Sequence, residues 1–424
     1  MNEPRHNWAG NIAYASARVH YPESTEQLQE IVARSRKVKV FGARHSFNTI
    51  TDTTETHISL DKMDQSLSLD PIRGTVTASG GMTYGQLCAQ LHQAGRAIHN
   101  MASLPHITVA GACATATHGS GDTNGNLATA VSALELVRGD GEIIRLSREK
   151  DGEEFLGAVV NLGALGVVTR VTLDTQPAFF MQQEVYEKLP MTQVEAHFDA
   201  IFASAYSVSF FIDWQEDAVN HVWRKRRLAD GVGLPSAPTF YGATLATRHL
   251  HPLAQLSAET CTLQMGIPGP WHERLPHFQV GHTPANGNEL QSEYFVPRQH
   301  AAAGMLAMVR LRRALAPVLR LSEVRTVAAD KLWMSTAYEQ ETVGIHFTWQ
   351  NDWAGVRQVL PLLEEQLAPF APRPHWGKLF TMKAADIQAA YPKMDDFRAL
   401  VQTYDPQGKF RNDFLDTTIF GNGA

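Results

Sequence analysis

Residues 37–48 read KVKVFGARHSFN. From Lys37 to Gly42 polar and apolar residues alternate with period two, the pattern of a strand. The strand runs straight into Gly42-Ala43-Arg44-His45-Ser46-Phe47-Asn48, a turn rich in small residues. Such a turn exposes a row of backbone N–H groups, and a row of that kind can wrap a pyrophosphate. Three more segments share the texture: Ser103 to Gly111 (SLPHITVAG), Ala114 to Gly121 (ATATHGSG) and Asn161 to Gly166 (NLGALG). Taken singly, each is most simply a tight turn. Four of them early in one chain point to a ligand approached closely by backbone. None is a GxGxxG followed by an acid about twenty residues on, and none is a Walker A loop, which argues against a Rossmann nicotinamide site.

Working outward, Glu26 to Arg36 predicts a helix, with Ser24 or Thr25 able to cap it. Thr75 to Ser79 predicts a strand, and Tyr84 to Gln93 a short helix closed by Gly95. Val131 to Val137 and Glu142 to Leu146 predict a hairpin through Gly139-Asp140-Gly141. Gly166 to Leu173 is one more strand. From about Phe179 the texture changes. Strand-like runs such as Ser207 to Trp214 and Gly344 to Trp349 are separated by helices such as Ala301 to Leu319. This half predicts an α+β region with an antiparallel sheet. From about Leu379 an amphipathic helix leads to a turn, DPQGKFR, at 405–411.

The chain has 424 residues, enough for two large domains. Its net charge of −6 argues against a nucleic-acid groove. The one basic run, Arg224-Lys225-Arg226-Arg227, reads as a solvated helix end or loop. Three cysteines, Cys88, Cys113 and Cys261, make neither a disulfide framework nor a metal site. No apolar leader or membrane span is visible, so the cytoplasm is the expected location. Nothing here fixes the oligomeric state; a monomer is one option.

Two polar pairs stand out in the second half. Glu323 and Arg325 are two apart in Ser322-Glu323-Val324-Arg325-Thr326, and His346 and Thr348 two apart in Gly344-Ile345-His346-Phe347-Thr348-Trp349. On strands that spacing points each pair to one face, with Val324, Ile345 and Phe347 facing a core. Together they could floor a pocket. A surface ion pair and a hydrogen-bonded sheet histidine are the simpler account of the same residues.

In order along nearly the whole chain, VFGARHSFN, MASLPHITVAG, ATATHGSG, NLGALGVVTRV, SEVRT, GIHFTW, RPHWGK and DPQGKFRNDF resemble the vanillyl-alcohol-oxidase-type FAD-binding family. Within it the match is to the alditol (xylitol) oxidase branch, related to the sugar-lactone oxidases. The resemblance implies an α+β fold: a two-lobed FAD-binding domain over 1–176, a substrate-binding cap domain with an antiparallel sheet over 177–377, and a C-terminal segment, 378–424, returning to the first domain. It implies FAD as cofactor, bonded covalently through His45. The cofactor contacts it implies are Phe41, Gly42, Ala43, Arg44, His45, Ser46, Ser103, Thr108, Gly111, Thr115, Ala116, Thr117, His118, Val168 and His375. Arg44 stands where other members often carry Gly or another small residue.

The implied reaction oxidises a terminal primary alcohol of an alditol such as xylitol or sorbitol to the aldose. Hydride passes to the flavin and O2 is reduced to hydrogen peroxide. A site of this kind needs a proton acceptor, cations and polar groups that fix hydroxyls. By resemblance, Ser103, Glu323, Arg325, Thr348 and Lys378 bind substrate. Arg325 and Lys378 lie near the reacting hydroxyl, and His346 accepts its proton. Ala102 lies near the flavin's oxygen-reactive carbon. A sugar-1,4-lactone oxidase or dehydrogenase is the alternative within the superfamily. A metal hydrolase drawing on His249 and His251, or a sugar-binding module, are the readings outside it. No ligand spacing for a metal is present.

Overall fold

The computed structural model describes residues 6–16, 18–281 and 288–421. Ser24 accepts a hydrogen bond from the Gln27 N–H and starts the helix Thr25–Arg34. Leu28 and Val32 on its inner face pack with Val38, Ile58 and Phe410. Val38 and Ile58 belong to a small parallel sheet of Val19–His20, Thr56–Ile58 and Val38–Val40. A second sheet is antiparallel and orders its strands Leu67–Asp70, Thr75–Ser79, Val167–Asp174, Val131–Val137 and Ile143–Ser147. Its hairpin turns at Gly139-Asp140-Gly141, and of these three only Gly141 takes a positive φ, 89°. The helix Tyr84–Gln93 starts with a Thr83–Gln86 capping box.

The third sheet holds ten strands, all from residue 180 onward. Its central strands run in the order Phe180–Pro190, Ala218–Leu228, Ser207–Ile212, Leu319–Val327, Thr342–Gln350, Glu289–Pro297. On one face Val324, Ile345, Phe347, Tyr294 and Val296 are buried with residues of the helices Met191–Phe202, Ala301–Arg310 and Trp353–Leu367. That leaves the other face for polar side chains. Glu293 pairs with His346, and His346 with Glu323, across three neighbouring strands. The α+β class is as expected.

Two expectations fail. The helix from Ala301 stops at Arg310, a short turn Arg312–Leu315 follows, and Leu319 already begins a strand. Pro317 bars a continuous helix there. The basic run is neither a helix end nor a loop: it lies within the strand Ala218–Leu228. Arg224 and Arg226 point to one face and pair with the buried Glu184. Lys225 points to the other and is 1 % exposed.

After Lys378 the chain returns to the first half. Lys409 accepts from the Val38 N–H at its carbonyl, and its Nζ donates to the Val32, Ala33 and Gly139 carbonyls. Asn412 Nδ2 donates to the carbonyls of Thr49, Ile50 and Asp52. Among the described residues no helix is long and apolar enough to cross a membrane.

Candidate active site

A cavity of 590 Å³ draws its lining from both halves of the chain. All four small-residue segments reach it, through Phe41 to Ser46, then Ser103, Thr108 and Gly111, then Thr115, Thr117 and His118, then Leu162, Gly163 and Gly166. The polar pairs Glu323/Arg325 and His346/Thr348 line it too, with Ala102, His375 and Lys378. Two of the expected cofactor contacts do not bring a side chain to the lining. Ala116 is fully buried, at φ 52°. Val168 lies on the strand Val167–Asp174, and its carbonyl lies against Gly80.

The turn at 42–46 is built for an anion. None of the backbone N–H groups from Gly42 to Ser46 donates to a protein acceptor among the described residues. Arg44 takes a left-handed φ of 59°, the kind of reversal that turns successive N–H groups inward. Gly42 sits so close to Thr108 that a Cβ would fall 2.1 Å from Thr108 Oγ1. The turn is clasped from outside. The Phe47 N–H donates to the Gly377 carbonyl, and Asn48 Nδ2 to those of Trp376 and Lys378. Asn7 and Asn11 hold the carbonyls of Ser46 and Phe47. These observations fit a pyrophosphate-bearing cofactor.

His45 is fixed on three sides. Its Nδ1 lies 2.8 Å from the Ala43 carbonyl and must donate there, leaving the Nε2 lone pair facing His106 Nε2 at 2.7 Å. The Trp8 ring stacks on it with centroids 4.7 Å apart. Burial, with His106 beside it, pushes its pKa down to about 3, so the ring is neutral.

On the sheet side the sequence reading missed the central residue. Glu293 is 1 % exposed and joins three of the expected residues. Its Oε1 accepts from His118 Nε2 at 3.1 Å and Arg325 Nη2 at 3.0 Å, and its Oε2 from Lys378 Nζ at 2.5 Å. Burial alone would raise its pKa, but Lys378, His118 and Arg325 hold it well below the carboxylate range. Glu323 is likewise kept ionised against burial by Arg325 and His277. Lys378 Nζ also lies 2.7 Å from His346 Nδ1, and His346 Nε2 lies 3.1 Å from Thr348 Oγ1. Burial and the Lys378 charge push the His346 pKa down to about 4. Burial lowers that of Lys378 as well, opposed by Glu293. Arg325 Nη1 reaches Ser103 Oγ at 3.3 Å.

Two carboxylates and two cations are thus packed in one cavity wall. Buried ion pairs are poor stabilisers, because desolvation offsets their attraction. Such a cluster is better explained by chemistry. It offers a neutral imidazole beside an ammonium, a guanidinium, and a carboxylate open to hydroxyl groups.

Comparison with known proteins agrees with this geometry. Residues 16–147 match the FAD binding domain family, and residues 171–418 match the D-arabinono-1,4-lactone oxidase family. An alditol oxidase from a Streptomyces species is 48 % identical over 98 % of this chain and 99 % of its own. An L-gulono-1,4-lactone dehydrogenase of Mycobacterium tuberculosis is 28 % identical, covering 96 % of this chain and 97 % of its own. The fold is shared with a cholesterol oxidase from B. sterolicum at a TM-score of 0.78 and 14 % identity, over 98 % of this chain and 96 % of that one. The chain belongs to the D-arabinono-1,4-lactone oxidase family of FAD-binding oxidoreductases, the family it shares with alditol oxidase.

Proposed function

We propose that the enzyme oxidises the terminal primary alcohol of an alditol to the aldose and that O2 takes the electrons as hydrogen peroxide. The observation that carries this reading is the polar wall. Lys378, Arg325 and His346 stand together beside Glu323, whose Oε2 has no protein partner among the described residues. A lone alcohol would need only the first three. The fourth suits a substrate with further hydroxyls. FAD, when bound, supplies the two-electron acceptor for the alcohol carbon and passes the electrons to O2.

The residues divide the remaining work. The turn at Phe41 to Ser46, with Thr108, Gly111 and Thr115 to His118, holds the cofactor, and His45 tethers it covalently. His375 belongs to the same site, and Val168 lies two residues beyond Gly166, which lines it. Residues 1–176 form the cofactor domain, 177–377 the cap, and 378–424 the returning segment. Lys378 and Arg325 bind the reacting oxygen and lower its pKa. The hydroxyl proton passes to Nδ1 of the His346 imidazole, neutral above about pH 4, as the Lys378 N–H that faces this nitrogen turns to the reacting oxygen. Ser103 and Thr348 donate to or accept from neighbouring hydroxyls, and Glu323 accepts from those farther along. Oxidation of a sugar-1,4-lactone is the second reading, favoured by the family match over 171–418. All three cysteines are buried and unpaired, in keeping with a reducing cytoplasm.

Anaerobic mixing with xylitol, sorbitol and gulono-1,4-lactone tests the assignment. We expect the alditols to bleach the flavin absorbance, and air to restore it with one peroxide per turnover. Bleaching by the lactone alone would replace the alditol reading with the second one.

A further inference from the structure

Beside Glu323 the cavity is lined by His277, and behind that ring lies a buried lysine, Lys225, that the reaction as described does not use. His277 sits between Pro276 and Phe278 in a segment that crosses from the cap to the cofactor side. Its own N–H and that of Phe278 both donate to the Ser103 carbonyl, at 3.2 and 3.3 Å. Its side chain goes the other way: Nε2 lies 2.6 Å from Glu323 Oε1. One residue therefore holds two of the proposed substrate contacts, one through its backbone and one through its ring.

The ring is itself fixed. Lys225 Nζ donates to the Leu275 carbonyl at 2.5 Å, the Pro276 carbonyl at 2.9 Å and His277 Nδ1 at 3.1 Å. Three acceptors use the three N–H bonds of an ammonium. Nδ1 must then accept, so the proton of the neutral ring sits on Nε2 and is donated to Glu323. Phe211 and Trp223 meet the ring edge-on, each with centroids 5.2 Å from it, and bar rotation. Lys225 is 1 % exposed and His277 4 %. A buried lysine is costly unless its bonds are satisfied, and here they are all spent on one loop and one ring.

We propose that Lys225 and His277 are positioning residues that lock Glu323 with one oxygen satisfied and the other turned to the substrate, and so set the preference for longer polyols. The inference rests on the reading of Glu323 as a contact to hydroxyls away from the reacting carbon. Neither residue touches the reacting atoms. The preference then comes from a fixed acceptor at a fixed distance from Lys378, and a substrate too short to reach it gains nothing from the lock.

Steady-state oxidation of sorbitol and of propane-1,3-diol by the holoenzyme tests this, with His277→Leu, His277→Gln and Lys225→Met variants. For His277→Leu the KM for sorbitol should rise about 10- to 100-fold, the loss expected for a charge-assisted hydrogen bond. Its kcat should stay within about threefold, as should kcat/KM for the diol. His277→Gln, which keeps an N–H donor at similar reach, should recover most of the sorbitol KM. Lys225→Met should fall between the two. Flavin content and melting temperature identify variants that fail to fold, and His277→Gln then carries the test. Parallel losses on both substrates, or a Gln variant as poor as Leu, would overturn the inference while leaving the activity standing. A wild-type enzyme inert to every polyol would overturn both.

Discussion

The two walls of the cavity are made differently. The wall from the first half is built of turns and presents backbone N–H groups, with Gly42 and the left-handed Arg44 shaping it. The wall from the second half is a sheet face and presents charged side chains, locked to one another through Glu293. A backbone wall depends on the path of the chain and tolerates changes of side chain wherever a Cβ already fits, which leaves out Gly42. A side-chain wall depends on individual atoms, and removing one partner leaves another charge buried and unpaired.

The harshest way to break this contrast is Lys378→Met. It removes a cation from the reacting oxygen and leaves Glu293 Oε2 without its donor, while Oε1 keeps His118 and Arg325. The rate of anaerobic flavin reduction should fall on the order of 10²–10³-fold with flavin content kept. A loss below about tenfold would mean that the polar wall is not where the chemistry happens. Glu293→Gln is gentler and more informative. Wild-type activity should be present above about pH 4, where His346 is neutral, and lost below it. At alkaline pH it should fall as Lys378 loses its proton, below the ordinary lysine range because of burial. Glu293 raises that Lys378 value, so its neutralisation should move the alkaline limb to lower pH by about one unit or more. An unmoved limb would assign it to another group.

His45→Ala probes the backbone wall. Acid precipitation should leave a colourless pellet, yet the native protein should still purify yellow, because the N–H groups of the turn remain. Arg44→Gly should have the smallest effect. Relief of the left-handed strain should raise stability by about 1 kcal/mol or less, since the Arg44 bond to the His6 carbonyl is lost, and a melting curve would measure it.

Legibility in the sequence follows the same divide. The turns announce themselves as runs of small residues, so all four segments are legible from the residues, while which of their residues face the cavity came from the resemblance. The pairs Glu323/Arg325 and His346/Thr348 were legible from period two. Glu293 carried the same signal: Glu289, Gln291 and Glu293 alternate along one strand, and all three line the cavity. Alternating polar residues are equally the mark of a strand face open to solvent, so the signal alone does not place Glu293 in a cavity. His277 had no such signal, since its place comes from a loop and from partners far away in the chain. Lys225 was hidden by its neighbours. A run of four basic residues reads as a solvated patch, but on a strand it is divided between two faces, and one of those faces was interior.

The clasp on the 42–48 turn has a consequence for assembly. Asn48 is held by carbonyls 328 and 330 positions later in the chain, and Lys409 closes the first sheet from still farther on. During synthesis the turn is made early and completed late. A ribosome-bound chain with its first 300 residues exposed would still lack the pieces that set the turn. Cofactor capture must therefore follow release of the nearly full-length polypeptide, and a chain truncated before residue 376 should fold its early helices yet emerge colourless.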